Sequence, residues 1–110
     1  MLFRSDFNFC SAWRDENDNI PNEWVDCWPA LEPDAPGYTQ DTEVNAMLFN
    51  QRGKAKRVRF DRILLRSEPA QSRWRPMSIT RLGTAPLNAR GKPVYVSDHF
   101  GLLASIVRID

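Results

Sequence analysis

Three short polar groups in the sequence carry the side chains that could do chemistry. They are Asp6-x-Asn8, the Asp61 region and Ser97-Asp98-His99. His99 is the only histidine, and imidazole is the side chain that most readily exchanges a proton near neutral pH. A carboxylate would orient its ring, and Asp61 is a candidate. Asp6 and Asp98 offer carboxylate oxygens, which bind hard divalent cations or activate water.

For these groups to act together, strands must bring them to one edge of a sheet. Met1–Phe3 predicts a short buried strand that ends just before Asp6, and residues 58–65 predict the best strand of the chain. Residues 74–82 and 100–109 predict two further strands, the last of them buried. Strand ends are where α/β folds usually place catalytic groups. By spacing alone, however, Ser97-Asp98-His99 is more typical of a turn than of a site.

One short helix is predicted over residues 23–28, capped by Asn22. Its apolar face carries Trp24, Cys27 and Trp28 and is more typical of a core than of a ligand site. Prolines predict an irregular connection up to residue 37, and residues 38–50 show no clear period, which predicts loop and turn. These elements indicate an α/β fold, α+β by content, with a mostly antiparallel sheet and one or two short helices.

Composition limits the class of protein. The chain has 110 residues, 42% of them hydrophobic and 11% aromatic, which predicts one globular domain and excludes a disordered tail, a collagen or a coiled coil. No apolar run reaches the length of about 20 residues that a membrane span needs, and Arg4 interrupts any secretory signal. Cys10 and Cys27 are too few for a disulfide scaffold or a four-cysteine zinc site, so both are predicted to be reduced and buried.

The two halves of the chain have opposite charge. Residues 1–50 hold ten acidic and two basic side chains, a net charge of −8, whereas residues 51–110 have a net charge of +9. The basic segment 52–59 could contact a phosphate backbone. It could equally be a solvated loop, or it could pair with the acidic half.

Longer strings of residues are more specific than these single groups, and together they resemble a known superfamily. The chain is similar to the C-terminal part of the endonuclease/exonuclease/phosphatase superfamily, which has the DNase I-like fold, and within it to the tyrosyl-DNA phosphodiesterase 2 type. The strings that carry the resemblance are Asp6-Phe7-Asn8-Phe9, Gly37-Tyr38-Thr39-Gln40-Asp41-Thr42-x-x-Asn45, Arg59-Phe60-Asp61-Arg62-Ile63, Leu82-Gly83-Thr84 and Ser97-Asp98-His99-Phe100-Gly101-Leu102.

The resemblance implies a catalytic role for four residues and a metal-binding role for a fifth. Asp6 would orient or deprotonate the attacking water, and Asn8 would bind the scissile phosphate. His99 would stabilise the transition state as a hydrogen-bond donor, with Asp61 holding its ring. Asp98 would lie beside Mg²⁺, for which Mn²⁺ is an alternative. In-line attack on a phosphodiester needs an activated water, such donors and a cation.

The resemblance also marks two candidate substrate contacts and two departures. Gln40 and Arg59 are the candidates for contacts with the substrate. Gln40 stands where the family tends to carry a tryptophan that shapes the substrate groove, which puts the substrate preference in question. Ser5 stands where the family usually has glycine before the catalytic aspartate, so an added side chain there is expected to tilt Asp6.

The family fold is a four-layer α/β sandwich of two halves, and residues 1–110 are interpreted as its C-terminal half without the N-terminal one. The main metal ligand, a glutamate, would come from that other half. The resemblance therefore implies a fragment of a metal-dependent phosphodiesterase of DNA repair, acting on DNA or another phosphodiester. 5′-Tyrosyl-DNA ends are a candidate substrate, and the fragment is expected to be inactive alone and nuclear or cytoplasmic.

Two other interpretations stay open. The chain could be a standalone, non-catalytic half-domain that binds a protein partner or nucleic acid. It could also be an enzyme completed by self-association through an exposed apolar sheet face, although a second copy would not supply the missing glutamate.

Overall fold

The computed structural model describes residues 1–8, 14–66, 73–87 and 91–109. Within them the chain forms three small antiparallel sheets and three short helices, which confirms the predicted fold class with one helix more than expected. No helix of the described part is long and apolar enough to cross a membrane. The elements are β1 Leu2–Asp6, α1 Arg14–Asp18, β2 Trp24–Asp26, α2 Cys27–Leu31, β3 Gln40–Asp41, α3 Ala46–Arg52, β4 Arg57–Val58, β5 Asp61–Arg66, β6 Trp74–Leu82 and β7 Gly101–Arg108.

Strand β5 is the centre of the largest sheet, with β1 on one side and β2 on the other. The predicted three-residue opening strand is too short, because β1 continues to Asp6 along its antiparallel ladder with β5. In that register Asp6 lies directly opposite Asp61. The ladder thus places two of the predicted catalytic carboxylates at one end of the sheet.

The hydrophobic core lies where β5 packs against α2 and the β6–β7 hairpin. It is built from five buried residues, Cys27, Trp28, Ile63, Leu65 and Ile79. Partly buried side chains of α2 and β7 complete it, namely Leu31, Leu102, Ala104 and Ile106. Alternate residues of β5 and β7 face this core, as the period of a β-strand requires.

The predicted helix over residues 23–28 is wrong in its position. Trp24, Val25 and Asp26 form β2, paired with β5, and α2 begins only at Cys27. Aromatic and β-branched residues favour the strand once a partner ladder is present. Pro29 lies inside the first turn of α2, where backbone N–H groups have no intrahelical partner, so the helix tolerates it.

The cysteine prediction holds for Cys27, which is free and fully buried. Burial, and secondarily the charge of Asp26, raises the pKa of the Cys27 thiol to about 11. A thiol so far above its ordinary pKa is a poor nucleophile at neutral pH, consistent with a role in packing. Cys10 lies outside the described residues.

Residues 38–50 are more ordered than the predicted loop. They contain β3, which pairs with β4, and most of α3. Asn45 caps α3, since its Oδ1 accepts a hydrogen bond from the Leu48 amide at 3.0 Å. Gly53 ends the helix in the left-handed conformation with φ 70°. This pair of signals, an Asn cap and a terminal Gly, is what sequence reasoning missed.

The predicted strands at residues 74–82 and 100–109 form the β6–β7 hairpin. The expectation that the last strand is buried is wrong, because β7 alternates between exposed and partly buried residues. Several apolar side chains of the hairpin are exposed to solvent. Met77 is 66% exposed and Leu103 is 56% exposed on this hairpin.

Candidate active site

Three of the predicted catalytic side chains meet where β1, β5 and the turn before β7 come together. The Nδ1 atom of His99 lies 2.6 Å from Oδ2 of Asp61. On the other side of the ring, Nε2 lies 4.0 Å from Oδ2 of Asp6. The Asp6 side chain is 44% exposed, whereas the Asp61 and His99 side chains are about three-quarters buried. The site therefore has a sheltered pair and an accessible carboxylate.

The imidazole of His99 lies between the carboxylates of Asp6 and Asp61. Asp6 and Asp61 face each other in the ladder, and like charges directly opposite destabilise a sheet. When Nδ1–H donates to Asp61, the ring is oriented and Nε2 faces the carboxylate of Asp6.

Asn8 follows Asp6 in a tight backbone turn. Its amide N–H donates to Oδ1 of Asp6 at 2.8 Å, and its φ of 54° is in the left-handed region that asparagine tolerates. This hydrogen bond fixes one carboxylate oxygen and leaves the other toward His99. Ser5 has ordinary extended geometry within β1 and donates its hydroxyl to the Asp6 carbonyl, so this position does not require a glycine.

Thr39 joins the two segments that carry Asp61 and His99. Its hydroxyl accepts hydrogen bonds from the amides of Phe60 and Asp61, at 3.0 and 3.2 Å. Its carbonyl accepts from the Phe100 amide at 2.7 Å. Thr39 is completely buried. Sequence reasoning assigned it no role, although it lies in one of the strings that carry the family resemblance.

The Ser97–His99 turn is fixed from two sides. The side-chain amide of Asn45 donates to the Ser97 carbonyl at 3.0 Å. The Ser97 hydroxyl accepts from the His99 amide and donates to a carboxylate oxygen of Asp98 at 3.3 Å. The cap residue of helix α3, Asn45, therefore helps to hold the turn that carries His99 in place. Asp98 is exposed on the outside of this turn.

Replacing Thr39 with valine is expected to lower the free energy of unfolding by about 2 kcal/mol, because two amides lose their shared acceptor. The two side chains have nearly the same volume, so packing is unchanged. Thr39→Ser keeps the hydroxyl and is expected to stay within about 1 kcal/mol of the wild type. Urea unfolding of both variants measures this, and equal stabilities would contradict the assigned role.

The two candidate substrate-contact residues are not part of this cluster. Both Nη atoms of Arg59 donate to the carboxylate of Asp26, at 2.9 and 2.7 Å. A substrate contact by Arg59 remains a prediction and would require this ion pair to open. Gln40 is 5% exposed, and its Oε1 has no hydrogen-bond partner among the described residues. It lies in β3, next to Thr39.

The described residues fit a divalent cation only in part. The ligand atoms of Asp6, Asp61 and His99 lie within 4.8 Å of one another, but Asp61 and His99 are hydrogen-bonded to each other. The accessible oxygen donor of this group is then Asp6, and Asp98, which is exposed, is not one of its members. One or two carboxylates, supplemented by water and phosphate oxygens, is the way proteins usually bind Mg²⁺. The donor set therefore suits a cation whose remaining ligands come from elsewhere.

Similarity to known proteins extends over nearly the whole chain. It is 33% identical over 107 residues to tyrosyl-DNA phosphodiesterase 2 of Homo sapiens and 34% identical over 110 residues to that of Xenopus tropicalis. These matches cover 96% and 99% of the chain. The chain spans 28% of the length of either relative. No protein-family model matches it.

Solved structures give the same result. The D. rerio tyrosyl-DNA phosphodiesterase 2 complexed with single-strand DNA product is similar with a TM-score of 0.74 and 28% identity, over 96% of this chain and 41% of that one. The truncated Caenorhabditis elegans tyrosyl-DNA phosphodiesterase 2 is similar in fold, with a TM-score of 0.66 and 21% identity. The match covers 96% of this chain and 37% of the C. elegans chain. The resemblance predicted from the motifs is thus confirmed.

Proposed function

We propose that this chain, which is similar over nearly its whole length to tyrosyl-DNA phosphodiesterase 2, is the C-terminal portion of a metal-dependent phosphodiesterase domain. The observation that carries the proposal is the hydrogen bond between Asp61 and His99, with Asp6 on the other side of the ring. Residues 1–110 of this chain would form the C-terminal portion of an endonuclease/exonuclease/phosphatase domain.

The proposed reaction is in-line attack of water on phosphorus, with a P–O bond formed to water and the P–O bond to the leaving group broken. Asp6 orients the water and accepts its proton. His99, held by Asp61, donates to a non-bridging oxygen on which negative charge grows, and Asn8 binds the same phosphate. Asp98 would hold part of a Mg²⁺ or Mn²⁺ ion, which would supply further positive charge to these oxygens.

The proposed substrate is a phosphodiester in DNA, with 5′-tyrosyl ends as the specific candidate. The D. rerio relative is complexed with a single-strand DNA product, which supports DNA as the class. Gln40 is proposed to contact the substrate, which requires its side chain, 5% exposed here, to become accessible. Action on DNA ends is consistent with a nuclear or cytoplasmic protein.

A chimaera tests this function directly. The 110 residues replace the matching segment of the human relative, and release of tyrosine from a 5′-tyrosyl oligonucleotide is measured with and without Mg²⁺. We expect turnover in the chimaera, reduced at least about 100-fold by His99→Ala or Asp61→Asn. The chain alone is expected to show no magnesium-stimulated turnover, because the main metal ligand is proposed to lie outside it.

Two outcomes would contradict the proposal. One is a folded chimaera without activity. The other is robust turnover by the chain alone that His99→Ala abolishes, which would contradict the proposed inactivity of the fragment.

The second candidate function is a non-catalytic half-domain that binds a partner or a second copy. The observation in its favour is the exposure of Met77 and Leu103 on the β6–β7 hairpin, since exposed apolar surface favours association. Light scattering of the purified chain measures its mass. A stable dimer or a salt-sensitive DNA affinity without catalysis in the chimaera would favour this function.

A further inference from the structure

Lys56, directly before β4, is held by its backbone. Its amide donates to the hydroxyl of Thr42 at 2.8 Å. Its carbonyl accepts from the Thr42 amide at 2.9 Å and from the Thr42 hydroxyl at 3.1 Å. Because Thr42 is buried, both polar backbone groups of Lys56 have partners inside the fold. The base of this side chain is therefore as firmly placed as a residue inside a regular strand.

The Lys56 side chain extends over Phe60 toward the catalytic cluster. Its Nζ lies 4.8 Å from the centroid of the Phe60 ring, within the range of a cation–π contact. The same ring is stacked with the imidazole of His99, with centroids 6.3 Å apart and planes at 29°. The Phe60 carbonyl also accepts from the Phe7 amide, directly after Asp6. The ammonium group is thus one aromatic ring away from His99.

Both basic and acidic side chains act on the ammonium group of Lys56. Burial lowers the pKa of Lys56, as do Arg52 and Lys54, whereas the carboxylates of Asp98 and Asp6 act to raise it. None of the ion pairs among the described residues includes Lys56, so its ammonium has no carboxylate within contact distance there. A cation is therefore present at the edge of a largely anionic site, with its donors available to a ligand.

We infer that Lys56 binds a non-bridging oxygen of the phosphate group that occupies this site, an inference that rests on the proposed function. A phosphodiester approaching Asp6, Asp61 and Asp98 meets repulsion from three carboxylates. The ammonium group of Lys56, on which the carboxylates of Asp6 and Asp98 act, offsets that repulsion, and lysine commonly binds phosphate as a point charge. Because the base of Lys56 is anchored, its ammonium reaches the ligand without displacing any backbone contact of the fold.

The test is the affinity of the chain for a short single-stranded oligonucleotide, measured by fluorescence anisotropy in EDTA. The oligonucleotide carries either a 5′-phosphate or a 5′-hydroxyl, so the difference reports the terminal phosphate. Lys56→Met is expected to weaken binding of the phosphorylated form about tenfold and to remove most of the preference for it. Lys56→Arg should retain much of that preference.

Lys54→Met is the matched control, because it removes the same charge from an exposed position two residues away. It is expected to lower affinity for both oligonucleotides slightly and equally. Equal behaviour of Lys56→Met and Lys54→Met, in a chain whose phosphate preference is lost in Asn8→Ala, would overturn the inference and leave the proposed function standing. No phosphate preference in the wild type would overturn the inference and count against the proposed function.

Discussion

Asp26→Ala is expected to lower the free energy of unfolding by about 3–5 kcal/mol, the usual cost of removing one partner from a buried ion pair. The carboxylate of Asp26 receives two hydrogen bonds from Arg59 and lies 3.8 Å from Arg62. Both arginine side chains are more than nine-tenths buried. Without Asp26, two buried guanidinium groups lose their shared counter-charge.

Urea unfolding of Asp26→Ala measures this loss, with Asp34→Ala as the control at an exposed loop position. Asp26 makes no side-chain cap to α2, so the loss of a helix cap does not enter the comparison. The double variant Asp26→Ala/Arg59→Met is expected to recover part of the stability, because one of the stranded charges is gone. A loss below about 1 kcal/mol in Asp26→Ala would contradict the structural role.

Gly37→Ala is expected to lower the free energy of unfolding by about 2–5 kcal/mol, the sum of a conformational and a packing cost. Gly37 has φ +67°, a conformation that costs an L-residue about 1–2 kcal/mol. Its added Cβ would also overlap the indole of Trp28. That ring is buried in the core, with its Nε1 donating to the Ala35 carbonyl at 2.8 Å. Because the indole is confined, overpacking adds about 1–3 kcal/mol.

Gly53→Ala separates the two causes. Gly53 has nearly the same positive φ, of 70°, but an added Cβ there meets no atom within 4 Å. Its destabilisation should therefore equal the conformational cost alone. If thermal melts of Gly37→Ala and Gly53→Ala shift equally, the close approach of Gly37 to Trp28 does not constrain the fold.

The ion pair of Asp26 bears on the site as well as on stability. Arg59 directly precedes Phe60 and Asp61, so its pairing with Asp26 restrains the backbone next to the carboxylate of Asp61. The acidic half and the basic half of the chain meet there, and they meet again where Arg57 donates to the buried carboxylate of Asp41 at 3.1 Å. Of the three interpretations of the basic segment, pairing with the acidic half applies to these two arginines.

The sequence by itself determined the candidate site and the strands beside it. Asp6, Asp61 and His99 were identifiable because they lie in strings whose order and spacing are specific, and β5, β6 and β7 because runs of apolar and β-branched residues predict strands locally. The antiparallel register of β1 and β5 brings Asp6 and Asp61 together, and the turn before β7 adds His99 to them. Asn8 is placed next to Asp6 by the chain itself.

Only the tertiary structure decided whether an ambiguous segment forms a helix or a strand, and which polar residues stabilise the fold. Trp24 and Val25 suit a helix or a strand by local pattern, and the β5 ladder selects the strand. Arg59 could be a phosphate ligand or half of an ion pair until Asp26, 33 residues away in sequence, is placed beside it. Nothing in the local sequence distinguishes the Thr39 hydroxyl from other hydroxyls. The fold does, because two amides of another segment donate to it. Local periodicity is set by neighbours in the chain, whereas a hydrogen-bond or ion-pair partner is set by where distant segments meet.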